Sequence, residues 1–358
     1  MSVSSLLIGW YRRHRRDLPW RQTRDPYAIW VSEVILQQTR VEQGLPYYQR
    51  FMQAFPCLSD LAGARTSEVL GLWQGLGYYS RARNMHQAAM QVMERYGGAM
   101  PSDYASLIAL KGVGEYTAAA VASMSSSEAV PVVDGNVIRV LARLHGLEDD
   151  PGRAGMRRRL AELMKELMLG HDPGEMNQAV MEFGALQCVP RAPRCGDCPL
   201  SHHCKALALD RVEVLPFRRP AKTPRERHIN YIVLTDPSSP RDLFLRKQDH
   251  QGIWKDLWTF PMVESPVAIQ EEELSANPDF HRLMQGVEYH RPSLVLCLRH
   301  ILSHQRLEAC FFSVGLKHPS STLPQELLRF SPGKLPPMPR LMHRYLEKGT
   351  GQGPARKP

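Results

Sequence analysis

The chain of 358 residues is longer than most single compact domains, so its length predicts about two domains. Hydrophobic residues make up 43% and charged residues 23%, which is ordinary globular usage and excludes a wholly disordered or fibrous protein. No apolar run reaches the roughly 18 residues of a membrane span. The formal charge of +9 is compatible with a polyanionic partner but does not by itself indicate one.

Helical periodicity runs through the first 210 residues, with clear starts and stops. Asp25 followed by Pro26 predicts a helix start, because an Asp side chain accepts from unpaired amides and Pro tolerates the first helical position. A later helical run is predicted to stop at Gly97 and Gly98. We therefore expect a mainly α-helical N-terminal half.

Gly112 and Gly114 separate two short predicted helices, one over residues 102–110 and one that starts at Glu115. Glycine permits a close approach, and the first amides of the following helix point outward as donors to an anion. A tight helix–helix turn is the alternative. The arginine-rich helical surroundings favour contact with a phosphate backbone.

Glu33 lies in a predicted helix among apolar neighbours such as Trp30 and Val34. Apolar surroundings raise the pKa of a carboxyl group, so Glu33 could hold a proton near neutral pH and act as a general acid. An exposed surface glutamate is the alternative, and the residues alone do not separate the two.

Asp134 follows the apolar run AVPVV and precedes the predicted helix VIRVLARL. This placement is typical of an N-cap residue, whose side chain accepts from the first helical amides. Those donors favour the charged form, so we expect an ionised carboxylate. Such a group can stabilise a cation while it caps the helix.

Four of the seven cysteines lie in one short stretch with the spacing C-x6-C-x2-C-x5-C. An odd total with one tight cluster indicates a metal site in a reducing compartment more than a secreted disulfide framework. Zinc ribbons usually have two C-x2-C pairs, so the spacing favours an iron–sulfur cluster and leaves a structural zinc open. The four residues are Cys188, Cys195, Cys198 and Cys204.

The pattern changes near residue 215. Residues 215–228 are rich in Pro and basic residues without periodicity, which predicts an extended linker. Residues 229–347 contain the strand-like runs INYIVL, LFLRK, LVLCLRH and LEACFFS with two helical stretches, and they are predicted to form an α+β domain. The tail 348–358 is predicted to be disordered.

Several motifs occur together in the chain, namely EVILQQTRV, WQGLGYYSRARN, LKGVGEYTA, VVDGNVIRV, NQAVMEFGALQC and the cysteine spacing. In combination they resemble the helix–hairpin–helix DNA glycosylase superfamily and, within it, adenine DNA glycosylases of the MutY type. The resemblance implies a six-helix barrel beside an iron–sulfur helical domain for residues 1–214, with one 4Fe-4S cluster on the loop 188–204. It also implies a duplex DNA partner that contains adenine opposite 8-oxoguanine or guanine.

The resemblance further implies a mechanism. Glu33 would protonate adenine N7, because unprotonated adenine would have to leave as an anion, and Asp134 would stabilise the oxocarbenium sugar until water leaves an abasic site. Tyr116 occupies the position of the nucleophilic lysine in bifunctional relatives, so lyase activity is expected to be absent or feeble. Asn136 would orient Asp134.

Other positions match family contacts to DNA or to the excised base. Gln38 and Tyr78 match residues that wedge into the base stack, and Gln178 matches an adenine contact that is Glu in some relatives. The remaining candidates are Arg21, Leu36, Thr39, Leu76, Gly112 and Gly114.

The C-terminal domain resembles a Nudix-like fold, but QEEELSA lacks the carboxylate spacing that a Nudix hydrolase needs. We therefore expect recognition of 8-oxoguanine instead of nucleotide hydrolysis. The candidate contacts are Ser303 and His304, which follow Leu302 where the family usually has Phe.

Two other functions stay open at this point: an endonuclease III-like lyase for oxidised pyrimidines, and a non-catalytic iron–sulfur protein that binds DNA or senses redox state. Tyr116 and the extra C-terminal domain favour the monofunctional glycosylase.

We expect a monomer with no membrane association and a bacterial cytoplasmic location. The linker is short, and the N-terminal apolar residues precede the arginines, which is the reverse of a secretory signal.

Overall fold

The computed structural model describes residues 2–220, 223–249, 252–302, 304–319, 323–324 and 326–349. The chain divides into two compact units, one of Met1–Ala64 with Arg83–Pro220 and one of Arg65–Ala82 with Ala221–Pro358. Within the described ranges, no helix combines the length and apolar composition of a membrane span.

Helices build the first 210 residues, which confirms the mainly α-helical N-terminal half. Their bounds are α1 (Val3–His14), α2 (Pro26–Leu36), α3 (Val41–Ala54), α4 (Leu58–Gly63), α5 (Thr66–Leu72), α6 (Ser80–Tyr96), α7 (Tyr104–Ile108), α8 (Glu115–Ser126), α9 (Gly135–His145), α10 (Ala154–Met168), α11 (Pro173–Leu186) and α12 (Lys205–Ala208), with 3-10 turns at Pro19–Arg21 and Ser201–His203.

The predicted start of α2 and the predicted end of α6 are confirmed. The Asp25 carboxylate accepts from the backbone amides of Tyr27 at 3.0 Å and Ala28 at 3.3 Å, and Pro26 is the first helical residue. After α6, Gly97 and Gly98 adopt φ values of +61° and +88°. Glycine enters this left-handed region without the steric strain of a side chain, so the helix ends there.

The predicted hairpin joins α7 to α8. Gly112 has φ +74°, and a Cβ atom at this position would lie 2.5 Å from Cβ of Asn84. Both the backbone conformation and the close approach therefore require glycine. Gly114 is the N-cap residue of α8 and is extended.

One apolar core fixes α9 and α11, the helices that carry Asn136 and Gln178. Buried side chains of α1, α9, α10 and α11 form it, and burial of such side chains supplies most of the stability of a helical domain. Gly184 allows α11 to approach α9, because a Cβ there would lie 2.7 Å from Cβ of Asn136. Core members include Leu7, Tyr11, Val140, Leu141, Leu163, Met164, Val180 and Phe183.

The C-terminal half contains two sheets and short helices, as the α+β prediction requires. The strands are β1 (Arg225–Thr235), β2 (Leu243–Lys247), β3 (Trp258–Thr259), β4 (Met262–Ser265), β5 (Ser293–Ile301), β6 (Gln305–Gly315) and β7 (Leu327–Phe330), and the helices are α13 (Glu271–Ser275), α14 (Pro278–Leu283) and α15 (Arg340–Gly349). The sheet orders are β4-β1-β6-β5 and β3-β2-β7.

In the larger sheet, β1 pairs in parallel with β6, whereas β5 pairs antiparallel with β6. The antiparallel register sets Cys297 opposite Cys310, and these two residues form a disulfide that the sequence did not predict. β5 and β6 are joined by a hairpin that begins at Leu302 and includes His304, the position expected to contact the oxidised base.

Three predicted boundaries need correction. The linker ends earlier than residue 228, because Arg225 begins β1, where its amide donates to the carbonyl of His304. Helix α15 continues to Gly349, so the predicted tail starts too early, and residues 350–358 lie outside the described residues. Segment Arg65–Ala82 groups with the C-terminal half instead of the N-terminal half. The contacts responsible include the Tyr79 hydroxyl donating to the Met338 carbonyl at 3.3 Å.

Candidate active site

A cavity of about 480 Å³ in the N-terminal unit brings together residues that are far apart in the sequence. Its wall is formed by side chains from α2, α8, α9 and α11 and from the 3-10 turn Pro19–Arg21. Eight of the predicted site residues line it: Arg21, Glu33, Leu36, Thr39, Tyr116, Asp134, Asn136 and Gln178.

Glu33 is buried, which settles the alternative that the sequence left open. It belongs to the buried run Tyr27–Ile35 of α2, and the Tyr116 hydroxyl donates to Glu33 Oε2 at 2.6 Å. The pKa of Glu33 is raised to about 7, mainly by burial. The hydrogen bond from Tyr116 opposes this rise, and the nearby Asp134 carboxylate adds to it. A carboxyl group with this pKa exchanges a proton near neutral pH.

Tyr116 holds its own proton firmly. Burial and the neighbouring Glu33 carboxylate raise the pKa of Tyr116 well above its ordinary value. The phenol therefore acts as a hydrogen-bond donor to Glu33 and not as a base or an anion.

Asp134 caps α9 as predicted. Its carboxylate accepts from the backbone amide of Val137 at 2.7 Å and from Asn136 Nδ2 at 2.8 Å. Burial nevertheless raises the pKa of Asp134, and these hydrogen bonds only oppose that rise. The sequence argument expected a buried carboxylate here, but it counted only the amide donors toward the charge and left out the cost of desolvation.

Asn136 is held from its other side by Arg139. The Arg139 guanidinium donates to Asn136 Oδ1 at 2.8 Å and to the carbonyl of Gly184 at 2.6 Å. With its oxygen occupied in this way, the Asn136 amide nitrogen is directed at Asp134. Sequence inspection missed Arg139, although it lies three residues after Asn136 on the same helix face.

Arg21 and Gln178 also line the cavity, and both are held by other side chains. The Tyr11 hydroxyl donates to Gln178 Oε1 at 2.9 Å, and the Arg21 guanidinium lies 5.7 Å from the centre of the Tyr11 ring. Glu182 accepts from Arg21 through both carboxylate oxygens, at 2.9 and 2.8 Å. Glu182 was also missed; the signal was a lone carboxylate inside the apolar helix sequence AVMEFGAL.

The remaining predicted DNA contacts lie outside this cavity. Gln38 and Tyr78 have φ values of +56° and +48°, a left-handed backbone conformation that residues other than glycine rarely adopt. Tyr78 is 45% exposed and Leu76 is buried, and both belong to segment Arg65–Ala82. His304 is exposed in the β5–β6 hairpin, whereas Ser303 lies outside the described residues.

The four clustered cysteines line a second, small cavity of about 30 Å³. In the described ranges, no three His, Cys, Asp or Glu side chains are close enough for a single bound metal ion, and the four thiols instead surround a shared space. Arg143, which is buried, donates to Cys188 Sγ at 3.4 Å and to the carbonyl of Val189 at 2.8 Å. A buried cation beside the thiols fits an anionic thiolate-bound group in this space.

Comparison with known families identifies the class of protein. A protein-family model described as HhH-GPD superfamily base excision DNA repair protein matches residues 31–166. A second family model, described as iron-sulfur binding domain of endonuclease III, matches residues 188–204. Fold and site therefore define a base excision DNA repair glycosylase with an iron–sulfur-binding domain.

Individual relatives show which DNA glycosylases the chain is similar to. An adenine DNA glycosylase of Buchnera aphidicola subsp. Acyrthosiphon pisum (strain APS) is 31% identical over 82% of this chain and 86% of its own length. An adenine DNA glycosylase of Mus musculus is 35% identical over 89% of this chain and 72% of its own. The solved structure of a thermostable thymine-DNA glycosylase is 31% identical, with a TM-score of 0.54 over 57% of this chain and 95% of that one.

The chain belongs to the adenine DNA glycosylase family. It is a DNA glycosylase, its macromolecular partner is DNA, and its cysteine loop is an iron–sulfur-binding domain.

Proposed function

We propose that the protein removes adenine paired with 8-oxoguanine or guanine in duplex DNA by hydrolysis of the N-glycosidic bond, and that it acts as a monomer. The observation that carries the proposal is the shared cavity, into which Glu33 and Asp134 both project. Two carboxylates on either side of a glycosidic bond supply the acid and the charge that glycoside hydrolysis needs. The adenine has to leave the base stack to enter, at a cost of a few kcal/mol.

Glu33 supplies the proton in this proposal. A pKa near 7 leaves a large fraction of the side chain protonated at neutral pH, and the proton passes to adenine N7 as the bond to the sugar breaks. Tyr116 holds Glu33 Oε2 and orients the carboxyl group. Because Gln178 Oε1 accepts from Tyr11, the Gln178 amide nitrogen is the end that can donate to the base.

Asp134 stabilises the oxocarbenium sugar that remains. Asn136, itself fixed by Arg139, holds the Asp134 carboxylate in place. Water then attacks the sugar and leaves an abasic site. A phenol at position 116 cannot form the imine that strand cleavage requires, so the reaction stops at base removal.

Three further groups of residues are assigned to DNA contacts. Gln38 and Tyr78 would enter the base stack, and their left-handed backbones are the kind of strain that occurs at functional positions. Leu36, Thr39 and Leu76 would contribute further contacts to the DNA. The hairpin at Gly112 and Gly114 would bind the phosphate backbone through the amides at the start of α8.

Cys188, Cys195, Cys198 and Cys204 would hold one 4Fe-4S cluster. When bound, such a cluster cross-links the loop and supplies a centre capable of electron transfer. Arg143 also holds the loop, because its Nη1 donates to the carbonyl of Val189 at 2.8 Å and its Nη2 to the carbonyl of Pro190 at 3.3 Å.

Purified protein should be brown and contain about four iron atoms per chain. Iron analysis and the visible absorption spectrum measure this. As a control, Cys57→Ser removes an exposed thiol outside the cluster and should leave the iron content unchanged. Colourless protein that contains only zinc would contradict the cluster assignment.

The proposed function is tested by single-turnover adenine release from duplexes carrying A:8-oxoguanine, A:G or A:T. We expect fast release from the first, slower release from the second and none from the third. A duplex with thymine glycol distinguishes the lyase alternative, and efficient excision there would replace the proposal. Binding of all duplexes without adenine release would support the non-catalytic alternative.

The C-terminal hairpin is proposed to recognise 8-oxoguanine. Ser303→Ala combined with His304→Ala should therefore reduce the preference for A:8-oxoguanine over A:G, because the polar contacts to the oxidised base are lost. The ratio of single-turnover rate constants on the two duplexes measures the preference. His318→Ala, an exposed histidine beyond β6, is the control, and an unchanged ratio in the double variant would rule out this role.

A further inference from the structure

Glu182 is the most completely paired carboxylate in the cavity wall. Its side chain is 1% exposed, and it accepts from the backbone amide of Arg16 at 3.0 Å and from Arg16 Nε and Nη2 at 2.9 and 2.7 Å. The two bonds from Arg21 complete the set. Burial alone would raise the pKa of Glu182, but the hydrogen bonds from the two arginines lower it to about 2, so the group stays ionised.

These contacts fix the guanidinium of Arg21. Its Nη1 donates to the carbonyl of Arg16 at 3.0 Å as well as to Glu182. The guanidinium carbon lies over the Tyr11 ring, 5.7 Å from the ring centre. The Arg21 side chain is only 13% exposed. A bidentate pair restricts both the position and the plane of an arginine, so Glu182 decides where the Arg21 charge lies.

Glu33 lies in the field of these charges. The other charged or titratable groups around the cavity are Tyr116 from α8, Asp134 and Arg139 from the start of α9, and Arg40 and Glu42 from the start of α3. Arg21 lowers the pKa of Glu33. The ionised Glu182 partly neutralises Arg21, and this limits how strongly Arg21 favours the charged form of Glu33.

We propose that Glu182 is a positioning residue for base excision, which holds Arg21 at the base pocket and offsets the charge that Arg21 places near Glu33. This inference rests on the proposed function, in which protonated Glu33 is the acid. Glu182 itself does not touch the adenine or the sugar in this scheme.

The test compares Glu182→Gln, Glu182→Asp and Glu175→Gln by single-turnover adenine release between pH 5 and 9. Glu175 is the matched control because it lies on the same helix and binds Arg12 in the same bidentate way, at 2.8 Å for both bonds, but does not line the cavity. Enzyme is used in saturating excess over A:8-oxoguanine duplex, so the rate constant does not depend on the fraction of folded protein.

Rate constants should fall as pH rises through the pKa of Glu33. In Glu182→Gln, we expect this fall to move to lower pH by roughly one unit and the rate at pH 7 to drop at least about tenfold. Glu182→Asp keeps the charge but is too short to hold both arginines, so it should be slower with the fall near its wild-type pH. Glu175→Gln should match wild type.

The outcomes distinguish failure of the role proposed for Glu182 from failure of the proposed function. A Glu182→Gln variant that is slow but retains the wild-type pH dependence indicates a structural role only, and this contradicts the inference. Variants with wild-type rates contradict it as well. If wild-type protein releases no adenine, the proposed function fails and the role of Glu182 fails with it.

Discussion

Glu33→Gln should reduce the rate of adenine release by roughly 10²–10⁴, which is the usual contribution of a general acid. The amide has nearly the shape of the carboxyl group and can still accept the Tyr116 hydrogen bond, but it has no proton to give to adenine N7. Affinity for duplex DNA should stay near the wild-type value, since the buried side chain carries no contact to the phosphate backbone in the proposed scheme.

Single-turnover rates and fluorescence anisotropy with an A:8-oxoguanine duplex measure these two quantities. The matched control is Glu94→Gln, an exposed carboxylate on α6 that does not line the cavity, which should behave as wild type. A rate for Glu33→Gln within threefold of wild type would remove the acid role from this residue.

The raised pKa of Glu33 also predicts how the wild-type rate depends on pH. The protonated form is the active one, so activity is present below about pH 7 and is lost as pH rises through that value. In Glu33→Gln, the residual rate should lose this high-pH decrease, because the group that titrates has been removed.

Asp134→Asn should reduce adenine release by at least about 10², because a neutral amide cannot stabilise the cationic sugar. Asn is as good an N-cap residue as Asp, so α9 and the thermal stability should change little. The hydrogen bond from the Val137 amide can be kept, and the substitution therefore separates the charge of Asp134 from its capping role.

Thermal unfolding and single-turnover rates test this separation. Asp103→Asn is the control, because Asp103 also caps a helix, α7, through the Ser106 amide at 2.9 Å but does not line the cavity. That variant should retain wild-type rates. Full activity of Asp134→Asn with unchanged stability would show that Asp134 is only a cap.

Much of the local structure could be predicted from the sequence. The Asp25 cap, the stop at Gly97 and Gly98, and the glycine hairpin are set by residues within a few positions of one another. The cysteine spacing and the ordered motifs likewise indicated the family before any tertiary contact was known. These signals are local because capping, backbone conformation and loop closure depend on near neighbours.

The boundaries of the two units were less predictable. Segment Arg65–Ala82 follows the same helical pattern as its neighbours, and only its long-range contacts, such as the bond from Tyr79 to Met338, assign it to the C-terminal half. The pairing of Cys297 with Cys310 likewise depends on the register of β5 against β6.

The sequence by itself determined most of the secondary structure and the iron–sulfur-binding loop, and it indicated Glu33 and Asp134 as the candidate carboxylates. Only the tertiary structure decided that Glu33 is buried and shares a cavity with Asp134, that burial raises the pKa of both, and that Glu182 holds the two arginines beside them. The physical reason is that desolvation and charge–charge interactions depend on distances through space. Chain segments more than a hundred residues apart supply those neighbours, and no local pattern records them.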